Sequence, residues 1–190
     1  ILVPGGFGIR GIEGMLVAVG YARVNLIPYL GLCLGMQCLV IEFARNVANL
    51  EGANSSEFNP NTKYPVIDLM EEQRGVDDKG GTMRLGHYEC IIKENTKSHE
   101  AYGINSVMER HRHRYELNNE YRAKLESKGL CFSGVSPNYS LVEIAEISDH
   151  PWMVGSQFHP EFQSKPLDPH TLFRDLIKYV ILHHTKENSS

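Results

Sequence analysis

Two short stretches hold residue types able to break an amide bond. Gly31-Leu32-Cys33-Leu34-Gly35 places a thiol between glycines, where an apolar run ends and a helical pattern begins. That setting suits a nucleophile elbow: the glycines permit a tight strand-to-helix turn, and a helix N-terminus favours thiolate over thiol. The pattern predicts that Cys33 is presented at the carboxyl end of a sheet rather than buried. His159-Pro160-Glu161 follows a second apolar run, Trp152 to Gln157. It offers the partners a cysteine nucleophile needs, an imidazole to move the proton and a carboxylate to fix the ring. Cys38, Cys90 and Cys131 lack such a setting and read as packing residues. His111 and His113 are rival bases at this level, whereas His183 and His184 read as solvated.

Pro4-Gly5-Gly6-Phe7-Gly8 is a glycine-rich turn after a short apolar run, able to aim backbone N–H groups at a developing oxyanion, with Gly6 the best donor. No G-x-x-x-x-G-K-[ST] pattern is present, so an ATP-binding P-loop is excluded. Arg110 to Arg114 alternates arginine with histidine; in a strand, Arg110, Arg112 and Arg114 share one face, where one can grip a substrate carboxylate.

The elements that must position these groups follow from periodicity. Ile1 to Val3 reads as a strand, Glu13 to Val24 as a helix, Leu26 to Leu32 as a buried strand, and Leu34 to Val47 as a helix with one apolar side. The stretch 48–81 reads as long loops with one strand, Tyr64 to Met70. Further strands are expected at Cys90 to Ile92, Leu130 to Gly134, Leu141 to Ile147 and Trp152 to Gln157, with helices at Asn119 to Lys128 and His170 to His184 and a frayed tail from Lys186. Alternating strands and helices predict an α/β fold with an open, mostly parallel sheet flanked by helices, flavodoxin-like, in one domain over residues 1–190.

A net charge of -4 gives no general attraction for nucleic acid or anionic membranes, and no apolar run approaches the ~20 residues of a membrane span. Four cysteines without paired CxxC spacing argue against a disulfide scaffold or a metal site, and favour a cytoplasmic setting.

GLCLGMQ around Cys33 and FHPE at His159 and Glu161 resemble the class I glutamine amidotransferases. PGGFGIRGIEG, PYLGLCLGMQ, IEFARNV, GGTMRLG, ERHRHRYELN and HPWMVGSQFHPEF resemble, in order and spacing, the glutaminase domain of the CTP synthase branch of that family. The resemblance implies a Cys33, His159, Glu161 triad, oxyanion amides at Gly6 and Leu34, and glutamine-binding roles for Gly6, Leu34, Gln37, Glu57 and Arg114. It implies no cofactor or metal in this domain. It further implies ammonia transfer to a linked synthetase domain that aminates UTP to CTP using ATP and Mg, GTP as allosteric activator, and a homotetramer. That synthetase domain is absent from these residues, and the family's glutaminase domain carries one more strand and helix ahead of the segment matching Ile1. Other branches, such as GMP or anthranilate synthesis or γ-glutamyl hydrolysis, share the triad; a non-catalytic module is the alternative of another class.

Overall fold

The computed structural model describes residues 1–69 and 83–187. Its main sheet has seven strands: β1 (Leu2–Val3), β2 (Tyr29–Leu32), β5 (Arg84–Ile92), β6 (Ser106–His113), β8 (Leu130–Val135), β9 (Val142–Ile147) and β10 (Met153–Ser156). They are ordered β1-β2-β10-β9-β8-β5-β6. A second sheet joins β3 (Asn54–Ser55), β4 (Pro65–Leu69) and β7 (Tyr115–Leu117).

The α/β class and the flanking helices are as expected, but the sheet is mixed rather than mostly parallel. Only β1-β2 and β2-β10 pair in parallel; β10-β9, β9-β8, β8-β5 and β5-β6 are antiparallel. Connection length explains the difference. A parallel pair needs a crossover, which α1 (Ile12–Val24) supplies between β1 and β2, whereas β8, β9 and β10 follow one another through short turns that force reversal.

Helix α1 buries Ile12, Leu16, Val19 and Ala22, one stripe at helical spacing. Helix α2 (Leu34–Asn46) departs from its expected single apolar side: Leu34 through Ala44 are all buried, because it is packed against the main sheet, α1 and the small sheet at once. Its buried Glu42 is neutralised by Arg23 at 2.8 Å. On the other face of the main sheet lie α3 (Lys97–Tyr102) and α5 (Thr171–Glu187), with Leu172 and Leu176 against Leu30 and Leu32. Covered on both sides, β2 has no exposed residue.

The expected helix at Asn119 to Lys128 is a 3-10 turn over Asn119–Tyr121 followed by α4 (Arg122–Glu126). Helix α3 had no apolar signal in the sequence, and β5 starts at Arg84 instead of Cys90 because its first half pairs with the charged strand β6 and shows polar residues to solvent. Residues 70–82 and 188–190, which include part of the expected loops, Met70 and the polar tail, lie outside the described residues.

Close backbone approach at the β2-α2 corner demands glycine. A Cβ on Gly31 would sit 2.5 Å from the Gly35 carbonyl carbon, and one on Gly155 2.9 Å from the Met36 Cα. Gly31→Ala and Gly155→Ala should each lower stability by about 1–3 kcal/mol through overpacking. Gly14→Ala, in α1 with nothing near its Cβ, should be neutral or stabilising by up to about 1 kcal/mol. Urea midpoints compare the three.

Candidate active site

Register brings the two motifs together. β2 and β10 run parallel with Leu32 opposite Ser156, so the residues leaving the two carboxyl ends, Cys33 and Gln157, emerge side by side. The Cys33 N–H donates to the Ser156 carbonyl at 2.6 Å, and the Gln157 Nε2 donates to the Cys33 sulfur at 3.5 Å, across 124 residues of chain. His159 is two residues further on. A Cβ on Gly5 would lie 2.8 Å from the His159 ring and 3.6 Å from the Cys33 Cβ, so the glycine turn is wedged between imidazole and thiol.

Cys33 has φ 49° and ψ -98°, a positive φ that costs a non-glycine residue on the order of 1–3 kcal/mol and that packing on every side must enforce. The turn feeds directly into α2, whose Gln37 N–H donates to the Cys33 carbonyl.

His159 is held from two directions. Its backbone N–H donates to the Arg110 carbonyl at 2.8 Å, and its Nδ1 meets the Glu161 Oε1 at 2.6 Å. The Nε2 is buried and has no hydrogen-bond partner among the described residues. With Nδ1 turned to a carboxylate, Nε2 is the nitrogen left to exchange a proton with the thiol or a leaving group. Burial works to raise the Glu161 carboxyl, but its hydrogen bonds, chiefly that from His159, outweigh it and the net shift is downward.

The thiol departs from expectation. Cys33 is only 3% exposed and its sulfur is pushed up to about 12, first by burial. The Leu34 amide does lower it, as a helix start should, yet Glu116, Glu161 and Glu57 add negative charge that works the other way. The resting group is therefore a neutral thiol.

Cys33 is nonetheless not sealed in. With Gly6, Gln37, Glu57, His113, Arg114 and two aromatic rings, Phe7 and Tyr115, it lines a cavity of about 40 Å³. Gly6 packs beside Leu34, 3.0 Å separating its ideal Cβ position from the leucine side chain. Gln37 is buried and donates to the Tyr115 carbonyl and to Gln157. The Glu57 carboxylate accepts from the Gly8 N–H at 2.9 Å, tying the glycine turn to the cavity wall.

The arginines divide. Arg110 and Arg112 stand on the exposed face of β6, over the rings of Phe162 and Phe7. Arg114 lies past the end of that strand and turns to the cavity, so the three do not share a face; the strand stops at His113 before alternation reaches it. His111 and His113 are buried on the opposite face of β6, beside Glu143, Glu116 and Arg84. Gln157, Tyr115 and Phe7 escaped the sequence reading as site residues; for Gln157 the available signal was its place at the end of the strand that delivers His159.

A family profile described as Glutamine amidotransferase class-I matches residues 1–179. CTP synthase of Caldanaerobacter subterraneus subsp. tengcongensis is 66% identical over 181 residues, covering 95% of this chain and 34% of that protein. CTP synthase of Clostridium acetobutylicum is 63% identical over 178 residues, covering 94% and 33%. The chain thus spans about a third of the length of these relatives. Among solved structures, the Trypanosoma brucei CTPS glutaminase domain with bound acivicin superposes with a TM-score of 0.90 at 41% identity, covering 95% of this chain and 70% of that one.

If the resting thiol is protonated, alkylation of Cys33 by iodoacetamide should be slow at pH 7 and rise about tenfold per pH unit toward pH 10, as the thiolate fraction grows. Peptide mapping separates Cys33 from the half-buried Cys131. A rate already level between pH 7 and 10 would contradict the assignment.

Proposed function

Because the chain belongs to the class-I glutamine amidotransferase family, among glutaminase domains of the CTP synthase type, we propose that it hydrolyses L-glutamine to glutamate and ammonia through a cysteinyl thioester. The observation that supports this most directly is the buried Nε2 of His159, without a hydrogen-bond partner among the described residues and oriented by Glu161, next to a thiol held in a strained turn.

The cavity is small, about 40 Å³, and the glycine turn on one side of it is held by the Glu57 contact to Gly8. In the proposed complex the substrate ammonium meets Glu57, displacing the Gly8 contact, and the substrate carboxylate meets Arg114, with Gln37 completing the wall. Pairing Glu57 with a cation offsets one of the charges that hold the thiol protonated.

His159 Nε2 then takes the Cys33 proton and the sulfur attacks the carboxamide carbon, forming a C–S bond while the carbonyl becomes an oxyanion facing the Gly6 and Leu34 amides. Collapse breaks the C–N bond, and the proton on His159 passes to the departing ammonia. Water, deprotonated by His159, attacks the thioester; glutamate leaves and the proton returns to sulfur.

In the complete protein we expect the ammonia to reach a linked synthetase portion that aminates UTP to CTP with ATP and Mg, under activation by GTP, in a cytoplasmic homotetramer. No helix among the described residues is long and apolar enough to cross a membrane.

The full-length Cys33→Ala variant should lose glutamine-dependent product formation by at least about 10³-fold while keeping ammonia-dependent formation. Glu57→Ala and Arg114→Ala should act mainly by raising KM for glutamine. Retained glutamine hydrolysis by Cys33→Ala would overturn the proposal.

A further inference from the structure

Beneath the cavity a ring of buried charge remains unused by the chemistry above. Arg84 on β5 reaches Glu143 on β9 at 2.7 Å and Glu116 on β7 at 3.5 Å. Between the two carboxylates stand the paired histidines of β6: His111 Nδ1 and His113 Nε2 are 2.9 Å apart, the outer His111 Nε2 lies 3.6 Å from Glu143, and the outer His113 Nδ1 lies 3.4 Å from Glu116. All five side chains are buried. His113 also forms part of the cavity wall next to Cys33.

Proton counting constrains this ring. Burial, then the Arg84 charge, keeps both imidazoles neutral, with His111 pushed down to about 2 and His113 to about 3. Each ring has one N–H, and one of the two is consumed in the bond between them. The two outer nitrogens must therefore differ: one is an N–H and the other a bare lone pair.

If His111 donates to His113, the bare nitrogen faces Glu143 and the N–H faces Glu116; if His113 donates, the arrangement reverses. A carboxylate is favoured opposite the N–H and a carboxylic acid opposite the lone pair. One Arg84 charge against two carboxylates is also balanced by one proton, in keeping with the upward displacement of both glutamates, mainly by burial.

We propose that Glu116 and Glu143 share a single proton through the His111–His113 pair, and that the end at which it rests governs the ionisation of the Cys33 thiol. Transfer from one end to the other balances in three hops: the Glu143 proton passes to His111 Nε2, the His111 Nδ1 proton to His113 Nε2, and the His113 Nδ1 proton to Glu116. A rotation of each carboxyl closes the 3.4 and 3.6 Å gaps to hydrogen-bond length.

The consequence for Cys33 follows from the shared cavity wall: His113, which faces Glu116, lines the same cavity as Cys33, whereas Glu143 faces the outer nitrogen of His111 at the other end of the pair. In keeping with this, Glu116 is foremost among the carboxylates that work to keep the thiol protonated. A proton on Glu116 removes that opposing charge from beside the sulfur and moves it to Glu143, where Arg84 is closest and Cys90 is the neighbouring thiol. Around the ring, Tyr88 lies over Arg84 and edge-on to His111, and Phe158 is edge-on to His111; the other titratable groups that act on it are the His159 imidazole, which bears on both histidines, and Cys90 beside Glu143. Glu116 and Glu143 are thus positioning residues for the nucleophile.

This inference deepens the glutaminase reading but its test does not depend on it, because alkylation of Cys33 is followed without glutamine. Each glutamine substitution mimics one protonated end and keeps the ring neutral, so both variants retain the charge balance needed to fold. In the full-length protein, Glu116→Gln should lower the pH midpoint of Cys33 alkylation by about one unit, raising the rate at fixed pH about tenfold. Glu143→Gln, which confines the charge to Glu116, should shift the midpoint upward. Shifts of opposite sign support the proposal; shifts of the same sign, or none, overturn it. Should Glu143→Gln fail to fold, Glu116→Gln decides alone, since an unchanged or raised midpoint there is equally fatal.

Discussion

The chemistry rests on how closely backbones approach one another where β2 turns into α2. Gly31 meets the Gly35 carbonyl, Gly35 meets the Val3 carbonyl, and Gly155 meets the α2 backbone at Met36, so three strands and a helix converge with no side chain between them. Only this convergence holds Cys33 at a positive φ that a cysteine would otherwise leave. The strain is distributed into a core in which α2 is buried for nearly its whole length, and the corner cannot relax without opening that core.

The same burial that fixes the geometry opposes the reactivity. A helix start and the Leu34 amide favour thiolate, but they act on a sulfur removed from water and facing three carboxylates, and burial prevails. A reactive thiolate standing in an empty site invites oxidation and stray alkylation, whereas a thiol that ionises only when charges around it are rearranged does not. The Glu57 contact to the Gly8 amide and the proton balance beneath His113 are the two places where such rearrangement is available.

Much of this was legible in the sequence, and what was missed was missed for physical reasons. The corner at Cys33 could be read because glycines, an apolar strand and a helical period all point to one turn. His159 and Glu161 follow a strand that is apolar enough to declare itself. In the antiparallel half of the sheet, β8, β9 and the end of β5 are apolar enough to be expected, but β6 and the first half of β5 were hidden: β6 alternates arginine with histidine and β5 is mostly polar from Arg84 to Glu89, so neither shows the hydrophobicity that normally reveals a strand. Gln157 could not be recognised as a neighbour of the thiol without the register of β10 on β2, which no local pattern encodes.

The hidden strand β6 is also where the sequence is most economical. In β6 the residues facing outward are Arg110 and Arg112, those facing inward are His111 and His113, and the chain then turns so that Arg114 enters the cavity. A single strand thereby furnishes an exposed cationic face, a buried proton carrier and a cavity-lining guanidinium within five residues. Shifting it by one residue would exchange the histidines for arginines in the interior, setting three buried cations, Arg84 among them, against two carboxylates and leaving both glutamates without imidazoles. The pairing of β6 with β5 from Ser106 to His113 fixes that register along the whole strand, and so fixes which charges lie behind Cys33 and which face solvent.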